Sequence, residues 1–310
     1  MTINNSGGEP SVSQVNTVHV RFHPPPEDLR RFLTTFYLAE IEVADGSVIT
    51  DALQPEWANL RFFSGENPDC WIESGDHVHG ASFVATGPST RCTNFRLGSS
   101  RLWGMGLLPL GWAQFIHLPA ADHANLVADG QAHPSFSSFV PIAKTLFEAE
   151  PDEEAELARL IAFFRARLAN PAADAERIFL IHAAIVDPQV ANVAELVDRV
   201  GAGQRTIERL CNRAFGFPPK MLLRRQRFMR SLSQFMLDPS LKWIGAIDGH
   251  YHDQAQFVRD FREFMGMTPS EYAARPHPVL DKFMHERARV AGVPVQTMDR
   301  PEGFSGAAAL

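Results

Sequence analysis

The chain has 310 residues, of which 45% are hydrophobic and 21% are charged, a composition typical of a soluble globular protein rather than a disordered one. This length favours two domains with connectors over a single core. No apolar run approaches the roughly 18 residues that a membrane helix needs. The cysteines lack CxxC spacing, which argues against a zinc site or a disulfide framework and for a reducing compartment; they are Cys70, Cys92 and Cys211.

The net charge of −7 is unevenly distributed along the chain. Residues 188–275 contain 13 Lys and Arg residues against 9 Asp and Glu residues, whereas the rest of the chain contains 16 against 27. A basic module on an acidic carrier suits a domain that contacts nucleic-acid phosphates. A solvated basic helix face would give the same counts, so charge alone leaves both interpretations open.

The N-terminal part begins with a polar segment, residues 1–17, which lacks the pattern of a secretory signal. We expect this segment to be a disordered lead-in and the protein to be cytoplasmic. Residues 18–140 contain many short apolar stretches between turn residues, a pattern that predicts short strands in a barrel or sandwich. The helical spacing of Leu29, Phe32, Leu33 and Phe36 predicts one helix beginning at Pro25.

Residues 141–187 are predicted to be a helical connector. Apolar residues recur at helical spacing over 152–168, and a more apolar helix is predicted over 174–186 after the break at Asn170-Pro171. The pair of helices could pack on the barrel, link the domains or form a dimer seam. The periodicity does not choose between these arrangements.

Residues 188–275 alternate short predicted helices with tight breaks. Asn192 is placed to cap a helix over 193–200, and a glycine turn separates it from a second helix over 204–215. A long basic helix over 220–237 follows, after which the pattern recurs with helices over 240–247 and 254–265. The sequence therefore predicts two helix-turn-helix units joined by one long helix.

The tail, residues 276–310, contains one predicted helix over 279–291. Small residues, Gly and Pro follow it. We expect this tail to be peripheral, with about ten disordered residues at its end.

The helix-turn-helix segment resembles the DNA-binding domain of AraC/XylS-type transcriptional regulators. Residues 253–262 (DQAQFVRDFR) and 266–272 (GMTPSEY) fit the family signature D-x-[SA]-x-F-x-R-x-F-[KR]-x-x-x-G-x-T-P-x-x-Y. The first unit departs from the family at Cys211, where a Phe is usual. In the second unit His250-Tyr251 replace the usual Gly-Phe, so this turn needs another means of closing.

The resemblance implies a regulator that places two recognition helices in successive major-groove segments of promoter DNA and works with RNA polymerase. The exposed N-terminal halves of these helices are predicted to contact bases through Arg205, Thr206, Glu208, Arg209, Gln254, Ala255, Gln256 and Arg259. Phosphate contacts are predicted for Arg213, Lys220, Arg224, Arg225, Arg227 and Lys242. Arg209 and Arg259 lie between apolar positions and could form salt bridges instead.

The N-terminal domain shows a weaker resemblance to the cupin-like domains of some AraC-type regulators. It rests on residues 54–62 (QPEWANLRF) and 104–112 (GMGLLPLGW). The aromatic side chains are expected either to line a pocket for a small-molecule effector or to form the core; they are Trp57, Phe62, Phe83, Trp103 and Trp112. The predicted fold class is therefore α+β, with an N-terminal cupin-like β-barrel followed by an all-α C-terminal domain.

The pair His77 and His79 is the strongest hint of metal chemistry. A cupin-type metal site would also need a Glu shortly afterwards, which residues 80–87 lack, and a later histidine such as His117. We expect two exposed histidines rather than a metal site. Because a Gly-rich phosphate loop and a GxSxG motif are also missing from the sequence, we expect no catalytic residue, no cofactor and no enzymatic activity.

The sequence thus predicts a one-component transcription regulator whose N-terminal domain senses a small molecule or forms a homodimer. A competing interpretation is a cupin-type metalloenzyme with an accessory DNA-binding module. A third is a constitutive DNA-binding protein whose barrel only dimerises.

Overall fold

A computed structural model describes residues 16–73 and 75–301. Within this part of the chain, the N-terminal region folds into two antiparallel sheets. The strands are β1 (Thr17–His23), β2 (Leu33–Glu42), β3 (Ile49–Leu53), β4 (Ala58–Gly65), β5 (Asp69–Trp71), β6 (His77–His79), β7 (Phe83–Thr86), β8 (Thr93–Leu97), β9 (Ser100–Leu107) and β10 (Val127–Asp129). The larger sheet has the order β1-β2-β9-β4-β7-β10, and the smaller has the order β3-β8-β5-β6.

The two sheets face each other across one apolar core. Phe22, Tyr37 and Phe63 enter this core from the larger sheet, and Phe95 and Leu97 enter it from the smaller one. No strand pairing joins the sheets within residues 16–73 and 75–301, so they form an open sandwich rather than one closed barrel. The predicted α+β class, with a strand-rich domain before a helical one, is confirmed.

The predicted helix beginning at Pro25 is wrong. A single 3₁₀ turn, Glu27–Leu29, occupies its start, and β2 begins at Leu33. Both faces of β2 are buried, because Phe36 packs towards one core and Tyr37 towards the other. A strand buried on both faces carries a continuous apolar run, in which residues at helical spacing occur by chance.

Helices from the middle of the chain cover the outer face of the larger sheet. They are α1 (Pro109–Phe115), α2 (Val140–Thr145) and α3 (Glu153–Arg165). Leu160 and Phe164 of α3 pack in the same core as Phe36. Glu156 of α3 is buried, and its carboxylate accepts hydrogen bonds from Trp103 Nε1 at 2.6 Å and Arg101 Nη1 at 2.6 Å. The first connector helix therefore belongs to the N-terminal domain.

The remaining helices form the C-terminal domain and its attachment. They are α4 (Ala175–Val186), α5 (Val193–Val200), α6 (Gln204–Leu210), α7 (Pro219–Leu237), α8 (Lys242–Ala246), α9 (Gln254–Met265), α10 (Pro269–Ala273) and α11 (Leu280–Ala291). The second connector helix, α4, shares a core with α5 and α6, and Trp57, Leu108 and Leu110 of the N-terminal domain complete that core. The two connector helices thus pack on different domains.

The tail is not peripheral, contrary to the sequence prediction. Phe283 of α11 packs with its ring centroid 5.9 Å from that of Phe22 and 5.2 Å from that of Tyr37. The carboxylate of Asp51 on β3 accepts hydrogen bonds from the backbone N–H groups of Val279 and Leu280, at 3.0 and 2.9 Å. The helix from 279 to 291 was predicted, but periodicity does not reveal what a helix packs against. The expected disordered ends at residues 1–15 and 302–310 lie outside the described residues.

No helix in the described part of the chain is both long enough and apolar enough to cross a membrane.

Candidate nucleic-acid interface

The first helix-turn-helix unit consists of α5, a three-residue turn and α6. The side chain of Asn192 caps α5 by accepting a hydrogen bond from the backbone N–H of Glu195 at 3.0 Å. Gly201 ends the helix with a φ of 65°, a left-handed conformation that costs glycine little. After α6, one π-helical turn over Cys211–Phe215 continues the same axis. Cys211, which replaces the usual Phe, is buried in the core of this unit.

The second unit consists of α8, a turn and α9. Asp253 caps α9 by accepting a hydrogen bond from the backbone N–H of Gln256 at 2.6 Å. The turn before it closes through the side chain of Asp248, which accepts hydrogen bonds from the backbone N–H of His250 at 2.9 Å and from the guanidinium of Arg230. This Asp-centred turn replaces the glycine turn that is usual in the family.

Asp248 is also held in its charged form. Burial opposes ionisation, but the hydrogen bonds from Arg230 and His250 outweigh it and lower the pKa of the Asp248 carboxyl. The turn therefore keeps a carboxylate acceptor at neutral pH.

The residues predicted to contact bases lie on exposed or partly exposed positions of α6 and α9. Arg205, Glu208, Gln254, Ala255 and Arg259 are exposed. Arg209 is also exposed, whereas Thr206 and Gln256 are half-buried.

Some of these side chains have partners within the protein. Arg209 Nη2 lies 3.2 Å from Asp174 Oδ2, so this guanidinium forms the salt bridge that the sequence left open. The carboxyl of Asp174 has a lowered pKa because Arg209 donates a hydrogen bond to it. Arg205 and Arg259 form no ion pair with any residue in 16–73 or 75–301. Their guanidinium groups are therefore free to bind a partner, and base contact stays a prediction.

The residues predicted to contact phosphates divide into free and engaged side chains. Arg213, Lys220 and Lys242 are exposed. Arg224 and Arg227 both donate to Asp260, at 2.6 and 3.3 Å, and would have to leave this buried carboxylate to reach a phosphate. The burial of Asp260 is not visible in the sequence, because an Asp between Arg259 and Phe261 is equally compatible with an exposed position.

The prediction for Arg225 is wrong. This residue of α7 is fully buried, with its guanidinium carbon 4.0 Å from the ring centroid of Trp57. Its Nη1 donates to the carbonyl oxygens of Glu56 at 3.2 Å and Ser89 at 2.9 Å. Burial lowers the pKa of Arg225 to about 9. Arg225 thus ties the long helix of the DNA-binding domain to the N-terminal domain.

The aromatic side chains that the sequence assigned either to a pocket or to the core belong to the core. Trp57, Phe62, Phe83, Trp103 and Trp112 are each at most 1% exposed and lie within apolar cores. A cavity of about 90 Å³ lies elsewhere, between the two sheets and beneath α11. The alternation of polar Asn59 and Arg61 with apolar residues along β4 marks the strand face that lines this cavity. That alternation was the available signal in the sequence.

His77 and His79 lie on β6, at the edge of the smaller sheet, and both are exposed. His79 Nδ1 is 3.2 Å from Asp69 Oδ1. Among the described residues, no group of three or more His, Cys, Asp or Glu side chains could hold a metal ion.

The three cysteines are buried. Burial raises the pKa of the Cys70 thiol to about 12 and that of the Cys92 thiol to about 11, and it raises the pKa of Cys211 as well. All three are therefore protonated thiols at neutral pH, which makes them poor nucleophiles.

Comparison with known proteins identifies the C-terminal region. Residues 196–275 match the family model of a helix-turn-helix domain. No curated protein matches the chain. Several solved structures are similar at low identity. ToxT from Vibrio cholerae O395 is 11% identical with a TM-score of 0.42, covering 83% of this chain and 96% of that one.

The same protein bound to (E)-4-(8-methylnaphthalen-1-yl)but-3-enoic acid is 12% identical with a TM-score of 0.42, covering 83% and 98%. The AraC-like transcriptional activator CuxR is 12% identical with a TM-score of 0.25, covering 71% and 95%. The matched range contains the recognition helices α6 and α9 of both units. Residues 196–275 of this chain are therefore a helix-turn-helix domain.

Proposed function

We propose that the protein is a transcription regulator that binds double-stranded promoter DNA through α6 and α9. One observation carries the proposal: the N-terminal halves of both helices are exposed and present Arg205 and Arg259 without an ion-pair partner among the described residues. An arginine at such a position can donate two hydrogen bonds to guanine in the major groove.

The attachment of the second unit to the N-terminal domain supports this proposal. The backbone N–H of Cys92 donates to the carbonyl oxygen of Phe264 at 2.8 Å, and its thiol lies 3.4 Å from the carbonyl oxygen of Met265. Both contacts are at the C-terminal end of α9. The half of α9 that would enter the groove is therefore left exposed.

Exposed cations lie where phosphate contacts are needed. Arg213 follows α6, and Lys220 begins α7. Phosphate contacts contribute DNA affinity that decreases as the salt concentration rises, whereas base contacts determine sequence specificity.

The proposal is tested by selecting bound fragments from a genomic library and measuring affinity by fluorescence anisotropy over a salt series. The wild type should enrich discrete sites, and Arg205→Ala/Arg259→Ala should lose that enrichment. Arg96→Ala, which removes an exposed arginine from β8, is the matched control and should behave as the wild type. If the wild type shows no site preference at any salt concentration, α6 and α9 do not contact bases and the proposal fails.

We further propose that the N-terminal domain makes this regulator respond to a small molecule. The cavity of about 90 Å³ between the sheets supports this, because it lies against the tail that also contacts α7.

RNA polymerase is a proposed partner of the DNA-bound protein, and homodimerisation is a proposed property that sedimentation would test. A regulator of this kind works where the DNA is, so we propose a cytoplasmic location.

A further inference from the structure

The cavity between the sheets has mostly apolar walls. They are formed by side chains of both sheets and of the tail, among them Phe22, Phe63, Val84, Phe95, Phe283 and Met284. An occupant would therefore bury an apolar body there.

Two buried amide side chains at this cavity contain atoms that have no hydrogen-bond partner among the described residues. Gln54 and Gln296 both line the cavity and are 6% and 5% exposed. Gln54 Oε1 and both amide atoms of Gln296 form no hydrogen bond to any described residue. Buried polar atoms are nearly always hydrogen-bonded, so these amides point to an occupant that both donates and accepts.

The charged groups that line the cavity are already paired. Arg61 Nη2 lies 2.6 Å from Glu56 Oε2, and Arg61 Nε donates to the hydroxyl of Tyr37 at 2.9 Å. Arg287 Nη2 lies 2.6 Å from Asp299 Oδ2. A charged ligand would find no free counter-charge here, and burying an unpaired charge is strongly unfavourable.

We propose that this cavity binds an uncharged molecule with an apolar body and an amide-like or alcohol-like group, and that α11 is the lid over it. The effect of this cavity on DNA binding rests on the proposed function. Binding to the cavity itself is independent of DNA.

The lid also contacts the DNA-binding domain. Leu280, Phe283 and Met284 all line the cavity. Leu280 and Met284 also share a core with Phe228 and Met229 of α7. Beyond α11, Gln296 lines the cavity, and the carbonyl oxygen of the next residue, Thr297, accepts a hydrogen bond from Gln226 Nε2 of α7 at 2.6 Å. A ligand that moves Gln296 therefore acts directly on the helix that joins the two helix-turn-helix units.

The size of the cavity favours a movement of the lid. Its volume of about 90 Å³ is smaller than the roughly 150 Å³ of an apolar cavity that admits benzene. We expect α11 to shift away from β1 and β2 when a ligand of that size or larger is fully buried.

Binding is tested on the full chain with a series of uncharged probes: acetamide, benzamide, benzyl alcohol and cyclohexanol. Benzoate and benzylammonium are charged controls of similar size, and toluene lacks the polar group. Calorimetry and thermal unfolding should show benzamide binding at least tenfold more tightly than benzoate, benzylammonium or toluene. Equal binding of a charged control would overturn the charge argument, and equal binding of toluene would overturn the role of the amides. No binding by any uncharged probe would overturn the site.

Two variants test Gln296 without removing a wall of the cavity. Gln296→Leu removes the amide. Gly106→Ala displaces it, because a Cβ on Gly106 would lie 1.9 Å from Gln296 Oε1. Both should reduce the preference for benzamide over toluene at least fivefold. Gln234→Leu, an exposed position on α7, should leave that preference unchanged. An unchanged preference in both cavity variants would exclude Gln296 as the recognising group.

The lid is tested by hydrogen exchange and by DNA affinity. Benzamide should change amide exchange in residues 280–291 and around Gln226, and it should change the affinity of the wild type for its selected DNA site by at least threefold. Binding without any change in the exchange of α11 would overturn the lid. If the wild type binds no DNA, the proposed function fails, while calorimetry and hydrogen exchange still decide the cavity and the lid.

Discussion

At the scale of single residues, Arg225 links the long helix to the N-terminal domain. Its guanidinium is buried against Trp57 and donates to two backbone carbonyls, but its Nε and Nη2 have no partner among the described residues. Burying such a cation costs stability through desolvation, whereas the packing of its stem contributes stability. These two effects can be separated by mutation.

We expect Arg225→Ala to lower the free energy of unfolding by about 3 kcal/mol, because it leaves a cavity at the interface. Arg225→Met keeps most of the volume and removes the buried charge, so its change should stay below about 1.5 kcal/mol. Urea denaturation at pH 7 measures both. An equal loss in the two variants would mean that the hydrogen bonds to Glu56 and Ser89, rather than packing, hold the interface.

His182 on α4 makes stability depend on pH. Burial, and secondly the charge of Arg225, lower its pKa from 6.5 to about 3. As the pH falls, His182 is therefore protonated in the unfolded chain before it is protonated in the folded protein. The free energy of unfolding decreases by about 2–3 kcal/mol between pH 6.5 and about pH 4.5 as a result. His182→Gln lacks this titration, so its stability should fall less over the same range. Parallel pH profiles for the two proteins would contradict the assignment.

At the scale of elements, the attachment of α11 depends on Asp51. Its carboxylate accepts hydrogen bonds from the backbone at Val279 and Leu280, and one oxygen lies 3.3 Å from His277 Nδ1. Burial opposes protonation of His277, but hydrogen bonds to Asp51 and to the Tyr272 carbonyl raise its pKa overall. A single side chain on β3 thus fixes both the start of α11 and the segment before it.

Asp51→Asn should loosen this attachment, because it removes the charged acceptor from two backbone donors. We expect amide exchange in residues 280–291 to accelerate about tenfold, the equivalent of about 1.4 kcal/mol. Exchange mass spectrometry on the full chain measures this, with Asp45→Asn, an exposed position in the turn before β3, as control. If exchange accelerates equally throughout the chain, the variant destabilises the whole fold rather than this helix.

The recognition helices and the start of α7 should contribute to DNA binding differently. Arg205→Lys keeps the charge but loses the paired donors, so it should cost about 1–3 kcal/mol at the selected site and little on unrelated DNA. Lys220→Ala should weaken binding to both DNAs and reduce the salt slope by about one. Anisotropy over a salt series measures both. If Arg205→Lys weakens both DNAs equally, Arg205 contacts phosphate rather than a base.

At the scale of the whole molecule, the two domains share buried cores. Trp57 and Leu108 of the N-terminal domain pack with α4 and α6, and Cys92 packs with Phe264 and Met265 of α9. Interfaces of this kind link the folding of one domain to that of the other.

We therefore expect one cooperative unfolding transition. Four of the five tryptophans lie in the N-terminal domain, so their fluorescence reports mainly on that domain, whereas circular dichroism at 222 nm reports mainly on the helices. The two urea transitions of the wild type should coincide. Two separated transitions would show that the shared cores do not couple the domains, and would weaken the proposed action of the cavity on α7.

The local features of the C-terminal domain follow from short stretches of sequence. Asn192 and Asp253 are helix caps because their side chains and the helix starts lie within three residues of each other. Gly201 and Gly266 end their helices for the same local reason, since each adopts a positive φ. The match to a helix-turn-helix signature depends on such short spacings, and it carries the identification of the DNA-binding domain.

The long-range neighbours of these elements, in contrast, become visible only in the folded protein. Arg224 and Arg225 are adjacent and chemically identical, yet one binds Asp260 and the other is buried against Trp57. The same holds for α11, which packs over a cavity between distant strands. The backbone N–H of Leu280 donates a hydrogen bond to Asp51, which lies 229 residues earlier in the chain. Periodicity gives the apolar face of a helix but not the surface that covers it, because that choice depends on shape and charge contributed by distant segments.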